Sequence, residues 1–308
     1  MVAKIFIDGE AGTTGLLIRD MLGARSDVQL VSIAANKRKD VDAKKEVMAG
    51  VDVVVLCLPD DAAKETVALM GEMGDAAPRV LDASTAHRVA PGWVYGFPEL
   101  EKGQAARIAS ARMVANPGCY ATGAIALLRP LVDAEILPPD FPITINAISG
   151  YSGGGKSMIA AYESRQAPDF ELYALGLEHK HIPEIQRYAR LDRRALFVPS
   201  VADFKQGMLV SIPLHLDFLP SELTGAEIES VFTAHYAGDG FVRVVPAAEI
   251  AREGGKLEPE ALNDTNRMEL RVIVNDERRH AVLVARLDNL GKGASGAAVQ
   301  NLELMLGL

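Results

Sequence analysis

The sequence predicts an α/β protein in which a doubly wound parallel sheet is followed by an α+β domain with a mixed sheet. Three observations carry this. Short apolar runs alternate with helical spacings as far as residue 115. Beyond it the texture changes to longer strands separated by glycine-rich connections. At 308 residues the chain is also too long for one ordinary core and fits two domains.

The elements follow in order. Residues 4–9 (KIFIDG) read as a short strand, residues 13–22 as a helix and residues 28–34 (VQLVSIA) as a second strand, a βαβ unit. Residues 51–59 (VDVVVLCLP) form the apolar run that a parallel strand buried on both faces requires. Residues 60–73 then read as a helix and residues 79–82 (RVLD) as the next strand, with right-handed crossovers expected throughout. Residues 119–136 carry a helical pattern through Ala124, Leu127, Leu128 and Leu131, which Pro130 should kink or shorten. Residues 197–217 and 268–288 read as strands of the second sheet, and the closing NLGKGASGAAVQNLELMLGL ends in a helix. The expected domains are 1–116 with 287–308, and 117–286.

Composition excludes several classes. A net charge of −9 and a pI near 5.3 argue against a nucleic-acid or anionic membrane surface, and leave a small anionic molecule as ligand. No apolar run approaches the ~20 residues that cross a bilayer. MVAKIFIDGE opens directly into a strand, so no cleaved leader is expected and the location predicted is cytoplasmic. Two cysteines, Cys57 and Cys119, are too few for a disulfide framework or a structural zinc site.

The junction of the first strand and helix reads DGEAGTTG, with Gly9, Gly12 and Gly15 flanking Thr13 and Thr14. Glycines there allow close backbone approach, and the free N–H groups of a helix start donate to a dinucleotide pyrophosphate. The first domain is therefore expected to be a Rossmann-type nucleotide-binding domain. After the second strand the chain reads SIAANKRKD, with no acid before Asp40 for a ribose 2′-hydroxyl. Asn36, Lys37 and Arg38, in a cluster that includes Lys39, suit a 2′-phosphate instead, so NADP is expected over NAD. A second glycine motif, GYSGGGKS (Gly150–Ser157), satisfies the phosphate-loop pattern and opens the alternative of an ATPase or kinase.

MVANPGCYATGA places Cys119 at the first turn of a helix, where the dipole favours thiolate, the nucleophilic form. Cys57 lies within an apolar run and reads as a small buried hydrophobe. The thiol chemistry needs a proton-transfer partner, and GLEHKHIPEI offers His179 and His181. Because Pro183 follows, this segment should be extended, with both imidazoles on one side. Together with Glu178 they form only part of a metal set, so no metal is expected. His87, His215, His235 and His280 read as isolated.

Together NPGCY, the first glycine turn, YGFPEL, SGYSGGGK, HKHIPE and NLGKGASGAAVQ resemble the N-acetyl-gamma-glutamyl-phosphate reductases of arginine biosynthesis, in order along almost the whole chain. The resemblance implies an α+β catalytic and dimerisation domain, a final helix returning to the first domain, and a homo-oligomer, dimer or tetramer. It further implies that Cys119 attacks an acyl phosphate and that NADPH reduces the resulting thioester. His179 is then the acid/base, and His181 a substrate or positioning contact. DASTAHR resembles the segment that brings an arginine, here Arg88, to the substrate phosphate. Asn116, Ser149, Gly150 and Lys156 are implied substrate contacts, and Ser84 and Asn289 cofactor contacts. The chain resembles the shorter branch of the family and reads VADFKQGM where longer members carry an Arg-Gly segment. An aspartate-semialdehyde dehydrogenase is the competing reductase, and a non-catalytic NADPH sensor a further alternative.

Overall fold

The computed structural model describes residues 2–38, 40–219, 222–238 and 240–308, which divide into two compact units. The first holds the chain up to Pro98, Lys102–Pro117 and Ala294–Leu308, and the second Glu99–Glu101 and Gly118–Gly293.

In the first unit β1 (Ala3–Asp8), α1 (Thr13–Gly23), β2 (Val28–Val31), α2 (Val41–Ala49), β3 (Val53–Leu56), α3 (Asp60–Glu72), β4 (Arg79–Asp82), β5 (Val94–Tyr95), α4 (Gln104–Ser110) and β6 (Met113–Ala115) follow one another. Their sheet runs β2-β1-β3-β4-β6-β5, every pair parallel. Strand alternation divides the core. Ile5, Ile7, Val53 and Val55 join Ile18 and Leu22 on one face, while Phe6, Val54 and Leu56 join Met48, Ala63 and Met70 on the other. All four β3 residues are buried, as the continuous apolar run demands. Strand β2 stops at Val31, short of the expected residue 34, and a 3₁₀ turn, Ala35–Lys37, follows. Helix α2 carried no clear apolar pattern, because Met48 is its one buried residue.

The second unit contains α5 (Cys119–Asp133), β7 (Thr144–Gly150), α6 (Gly155–Glu163), β8 (Phe170–Leu172), α7 (Ile182–Tyr188), β9 (Leu196–Ala202), β10 (Met208–His215), α8 (Gly225–His235), β11 (Val242–Val244), α9 (Ala247–Ile250), β12 (Met268–Asn275) and β13 (His280–Leu287). Its sheet, β11-β12-β13-β10-β7-β9-β8, is mixed: β7–β9 and β11–β12 are parallel and the remaining pairs antiparallel. Helix α5 is buried continuously from Tyr120 to Val132 and lies inside the unit, its buried Arg129 paired with Glu101 and Asp133. Gly123 lets it approach the sheet, since a Cβ there would stand 2.9 Å from Val210 Cγ2. Pro130 lies in its last turn, and the helix ends at Asp133, short of residue 136. The closing helix α10 (Gly296–Leu306) belongs to the first unit and packs beside α1 and α4.

Histidines that read as isolated are not all so. His215 and His280 stand opposite one another on β10 and β13 with ring centroids 5.0 Å apart, a pairing set by strand register. No helix among the described residues is long and apolar enough to cross a membrane.

The turn after β1 is the tightest point of the first unit. Gly9 has φ +93°, and a Cβ there would overlap the Cys57 carbonyl oxygen that follows β3. Gly9→Ala is therefore expected to destabilise the first unit by about 1–3 kcal/mol or more through left-handed strain and overlap. Denaturant unfolding, followed at the single tryptophan, Trp93, which packs on that unit's core, measures the loss.

Candidate active site

In the first unit the chain turns to opposite sides after β1 and β3, so their carboxyl ends open the crevice where ligands of doubly wound sheets bind. Gly15 packs so closely on the turn that a Cβ would lie 2.5 Å from the Gly9 carbonyl oxygen. Helix α1 starts at Thr13 and Thr14 with Gly12 as N-cap, no capping side chain and no acid in its first turn. A glycine turn at an uncapped, positive helix end fits a pyrophosphate.

Beside it lies a cavity of about 570 Å³ whose lining includes Gly9, Glu10, Arg38, Lys44, Leu58 and Thr66. Arg38 reaches this cavity and pairs with Glu10 at 2.9 Å, while Asn36 and Lys37 are exposed on the 3₁₀ turn. Lys39 lies outside the described residues. Asp40 caps α2 by accepting from Ala43 N–H at 3.1 Å.

At the end of β4 a second buried cluster forms. The Asp82 carboxylate accepts from Ser84 Oγ at 2.8 Å and lies 2.6 Å from His87 Nδ1, and the His87 ring stacks on Trp93 at 4.2 Å. His87 thus braces the turn that carries Arg88, whose Nε donates to the Asn116 carbonyl at 3.0 Å. Ser84 Oγ also accepts from Ala86 N–H. The Asn116 side chain donates to the Ala294 carbonyl and accepts from Asn301. The Ser84 and Asn116 side chains are thus occupied by the framework.

In the second unit Cys119 is the first residue of α5, with Gly118 as N-cap and no side-chain cap. The N–H of Gly118 instead donates to the buried Glu184 carboxylate at 3.1 Å. Glu184, on α7, also approaches His181 Nε2 at 4.0 Å. The histidine segment is not extended. His181 takes helical angles, φ −84° and ψ −13°, as N-cap of α7, because Pro183 falls in the first helical turn, where proline favours a helix start. The rings of His179 and His181 still meet edge-on at 4.7 Å. His179 Nδ1 accepts from the His181 N–H at 3.1 Å, which leaves the ring proton on Nε2. His179 is half-buried and His181 buried.

Tyr120 and Tyr173 complete this cluster, each ring centroid 5.8 Å from that of His179, with Tyr120 OH donating to the Ser200 carbonyl. Burial raises both phenols well above the usual tyrosine range, so both are neutral hydroxyls at physiological pH. Glu178 is exposed and pairs with Arg194, so the carboxylate beside the histidines is Glu184. Among the described residues no three His, Cys, Asp or Glu side chains are grouped to hold a metal ion.

The phosphate-loop match has another structural use. The N–H groups of Gly150, Tyr151 and Ser152 donate to the carbonyls of Gly207, Phe204 and Lys205, so they are not free for phosphates. Gly150 must be glycine, since a Cβ would stand 2.6 Å from Gln206 N. Lys156 is exposed near the start of α6, and Ser149 is buried, its hydroxyl donating to the Gly150 carbonyl. Asn289 is buried and doubly engaged: Oδ1 accepts from Gly207 N–H at 2.8 Å and Nδ2 donates to Ser152 Oγ at 2.9 Å. It thus clamps the loop after β7 to the segment after β13.

That segment continues as a π-helical turn, Gly291–Ser295, and a Cβ on Gly293 would stand 2.8 Å from Cys119 Cβ. The buried pair Lys292–Glu99, 2.6 Å, anchors the turn. Glu184, Tyr120, Tyr173 and Gly293 were not singled out from the sequence. Tyr120, Glu184 and Gly293 had as signal only their place within NPGCY, HKHIPE and NLGKGAS, and Tyr173 had none, since burial and contact across the unit are not periodic features.

A family model described as the semialdehyde dehydrogenase NAD binding domain matches residues 4–108, and one described as the semialdehyde dehydrogenase dimerisation domain matches residues 119–289. Fold and matches together define a semialdehyde-dehydrogenase-class oxidoreductase with a nicotinamide-nucleotide domain. Aspartate semialdehyde dehydrogenase II of Vibrio cholerae, complexed with ASA, superposes with TM-score 0.74 at 14% identity over 100% of this chain and 99% of that one. The Candida albicans aspartate semialdehyde dehydrogenase with NADP gives 0.69 at 14%, covering 99% of each. At that identity the likeness is one of fold. N-acetyl-gamma-glutamyl-phosphate reductase of Chelativorans sp. is 54% identical over 310 residues, 99% of both chains, and that of Brucella ovis is 52% identical over 312 residues, 100% of both. N-acetyl-gamma-glutamyl-phosphate reductase 2 of Nostoc sp. is 52% identical over 315 residues, 99% of this chain and 97% of that one. The chain belongs to the N-acetyl-gamma-glutamyl-phosphate reductase family.

Two outcomes follow from the thiol environments. Burial, aided by the carboxylates of Asp82 and Asp8, pushes the Cys57 thiol up to about 12, so it is protonated and unreactive throughout the neutral range. Iodoacetamide at pH 8 should therefore label Cys119 and spare Cys57, as peptide mass spectrometry would show. Gly293→Ala should displace Cys119 and reduce turnover by about 10²-fold while the chain stays folded, read by steady-state kinetics alongside circular dichroism.

Proposed function

We propose that the chain catalyses NADPH-dependent reduction of N-acetyl-gamma-glutamyl phosphate to N-acetylglutamate semialdehyde with release of phosphate, a step of arginine biosynthesis, through a thioester on Cys119. The observation that carries this reading is Cys119 at an uncapped helix start in the unit that gathers His179, His181 and Glu184. Relatives of 52–54% identity over the full chain support this substrate over aspartate semialdehyde.

Cys119 Sγ attacks the acyl carbon, the carbon–oxygen bond to phosphate breaks, and phosphate leaves with that electron pair. The nicotinamide cofactor, when bound, supplies the hydride that takes the acyl group to the aldehyde level. His179 holds its proton at Nε2 and gives it to the oxygen of the tetrahedral adduct. As the aldehyde forms it takes that proton back, and the carbon–sulfur bond breaks to restore the thiolate. His181 and Glu184 keep the imidazole and the Gly118–Cys119 turn in place. Arg88 is the cation for the departing phosphate, and Lys156 is a contact to the anionic substrate. Gly9, Gly12, Thr13, Thr14 and Gly15 would hold the cofactor pyrophosphate, with Arg38 on a 2′-phosphate. Ser84, Asn116 and Asn289 act by shaping the site, since their side chains are engaged internally. The dimerisation domain supports a homo-oligomer, and the setting proposed is cytoplasmic.

The test is phosphate- and NADP-dependent oxidation of N-acetylglutamate semialdehyde. The wild-type chain should be active. Cys119→Ser should fall below about 10⁻³ of that rate, and His179→Asn by about 10²-fold with its pH profile altered. An inactive wild type, or an undiminished Cys119→Ser, refutes the reading.

A further inference from the structure

We infer that Glu10, in the first glycine turn, sets the choice between the two nicotinamide dinucleotides by competing with a ribose 2′-phosphate for Arg38, so that the site admits NAD(H) as well as NADP(H). This rests on the cofactor reading of the same cavity. In doubly wound folds the choice is made at the carboxyl end of the second strand, where an acid accepts from the 2′-hydroxyl or a cation binds the 2′-phosphate. The sequence after β2 supplies no such acid before Asp40, and Asp40 is committed to capping α2. The acid arrives from elsewhere in the fold. Glu10 reaches across so that Ser32, the residue directly after β2, donates its hydroxyl to Glu10 Oε2 at 3.0 Å.

The other carboxylate oxygen holds Arg38 Nη2 at 2.9 Å, and Arg19 lies 3.7 Å from Oε2. Glu10 is largely covered, whereas the Arg38 side chain is 46% exposed and able to turn. Among the described residues that line the cavity, the other cation, Lys44, is committed to Asp8 at 2.8 Å. A 2′-phosphate must therefore draw Arg38 off Glu10 and lie beside a carboxylate. A 2′-hydroxyl meets that carboxylate as its acceptor. Glu10 thus weakens the phosphorylated cofactor and supports the other, and Arg38 does the reverse.

The test reads binding, not turnover. Isothermal titration of the full chain with NADP⁺ and NAD⁺, and with 2′,5′-ADP and 5′-AMP as probes lacking the nicotinamide, gives the ratio of the two affinities. Wild type should bind both dinucleotides. Glu10→Gln should move the ratio toward NADP⁺ by about tenfold, and Arg38→Ala away from it by about tenfold, the size of one charge-assisted hydrogen bond. Should Glu10→Gln fail to fold, Glu10→Asp, which retracts the carboxylate, should shift the ratio in the same direction. A wild type that binds NADP⁺ with a ratio indifferent to Glu10 overturns this inference alone, as does one that binds no NAD⁺. A wild type that binds neither dinucleotide overturns the cofactor reading as well.

Discussion

The catalytic unit depends on where α5 begins. This helix is buried on every side and is held inside its unit, with Gly123 against Val210 and Ala285 of the sheet. Its axial position is thereby set by packing, and its first residue is Cys119. One polar contact then ties that start to the histidine segment, the Gly118 N–H on the Glu184 carboxylate. A carboxylate so deeply buried is tolerable only with strong donors around it. One such donor is the N–H of the turn that carries the nucleophile, and the His181 ring stands 4.0 Å from the other carboxylate oxygen.

Around this point the unit invests its polar groups in position more than in exposure. Asn289, Ser152 and Gly207 lock two loops together, and the π-helical turn brings Gly293 against Cys119. Such turns insert one extra residue per helical repeat, which aims side chains that a regular helix could not. The Lys292–Glu99 pair is a costly way to hold it, since desolvating two charges returns little net stability. Its value lies in fixing one geometry. The same economy holds in the first unit, where Asp82 gathers Ser84 and His87 to shape the turn before Arg88.

Much of this was legible in the sequence because it is local. The β3 run of four buried residues, the glycine turn after β1 and the thiol at a helix start each follow from spacing alone. The errors were also local in origin. Pro183 was read as forcing an extended segment before it, but it opens a helix, so His181 is helical while its ring still reaches His179. Glu178 was considered beside the histidines only as part of a metal set, and Glu184, one helical turn beyond His181, was passed over although it is the carboxylate adjacent in space.

The sequence by itself determined which residue types could do chemistry and on which kind of element each would sit, since periodicity and turn chemistry depend on near neighbours along the chain. Only the tertiary structure decided which polar groups meet. GYSGGGKS satisfies a phosphate-loop pattern, yet the N–H groups of its first three residues are taken by carbonyls within residues 204–207, more than fifty positions away. DGEAGTTG predicts a nucleotide turn, yet nothing in its spacing shows that Glu10 would reach Ser32 and Arg38. Hydrogen bonds and ion pairs act over about 3 Å, and the fold, not the distance along the chain, brings partners within that range.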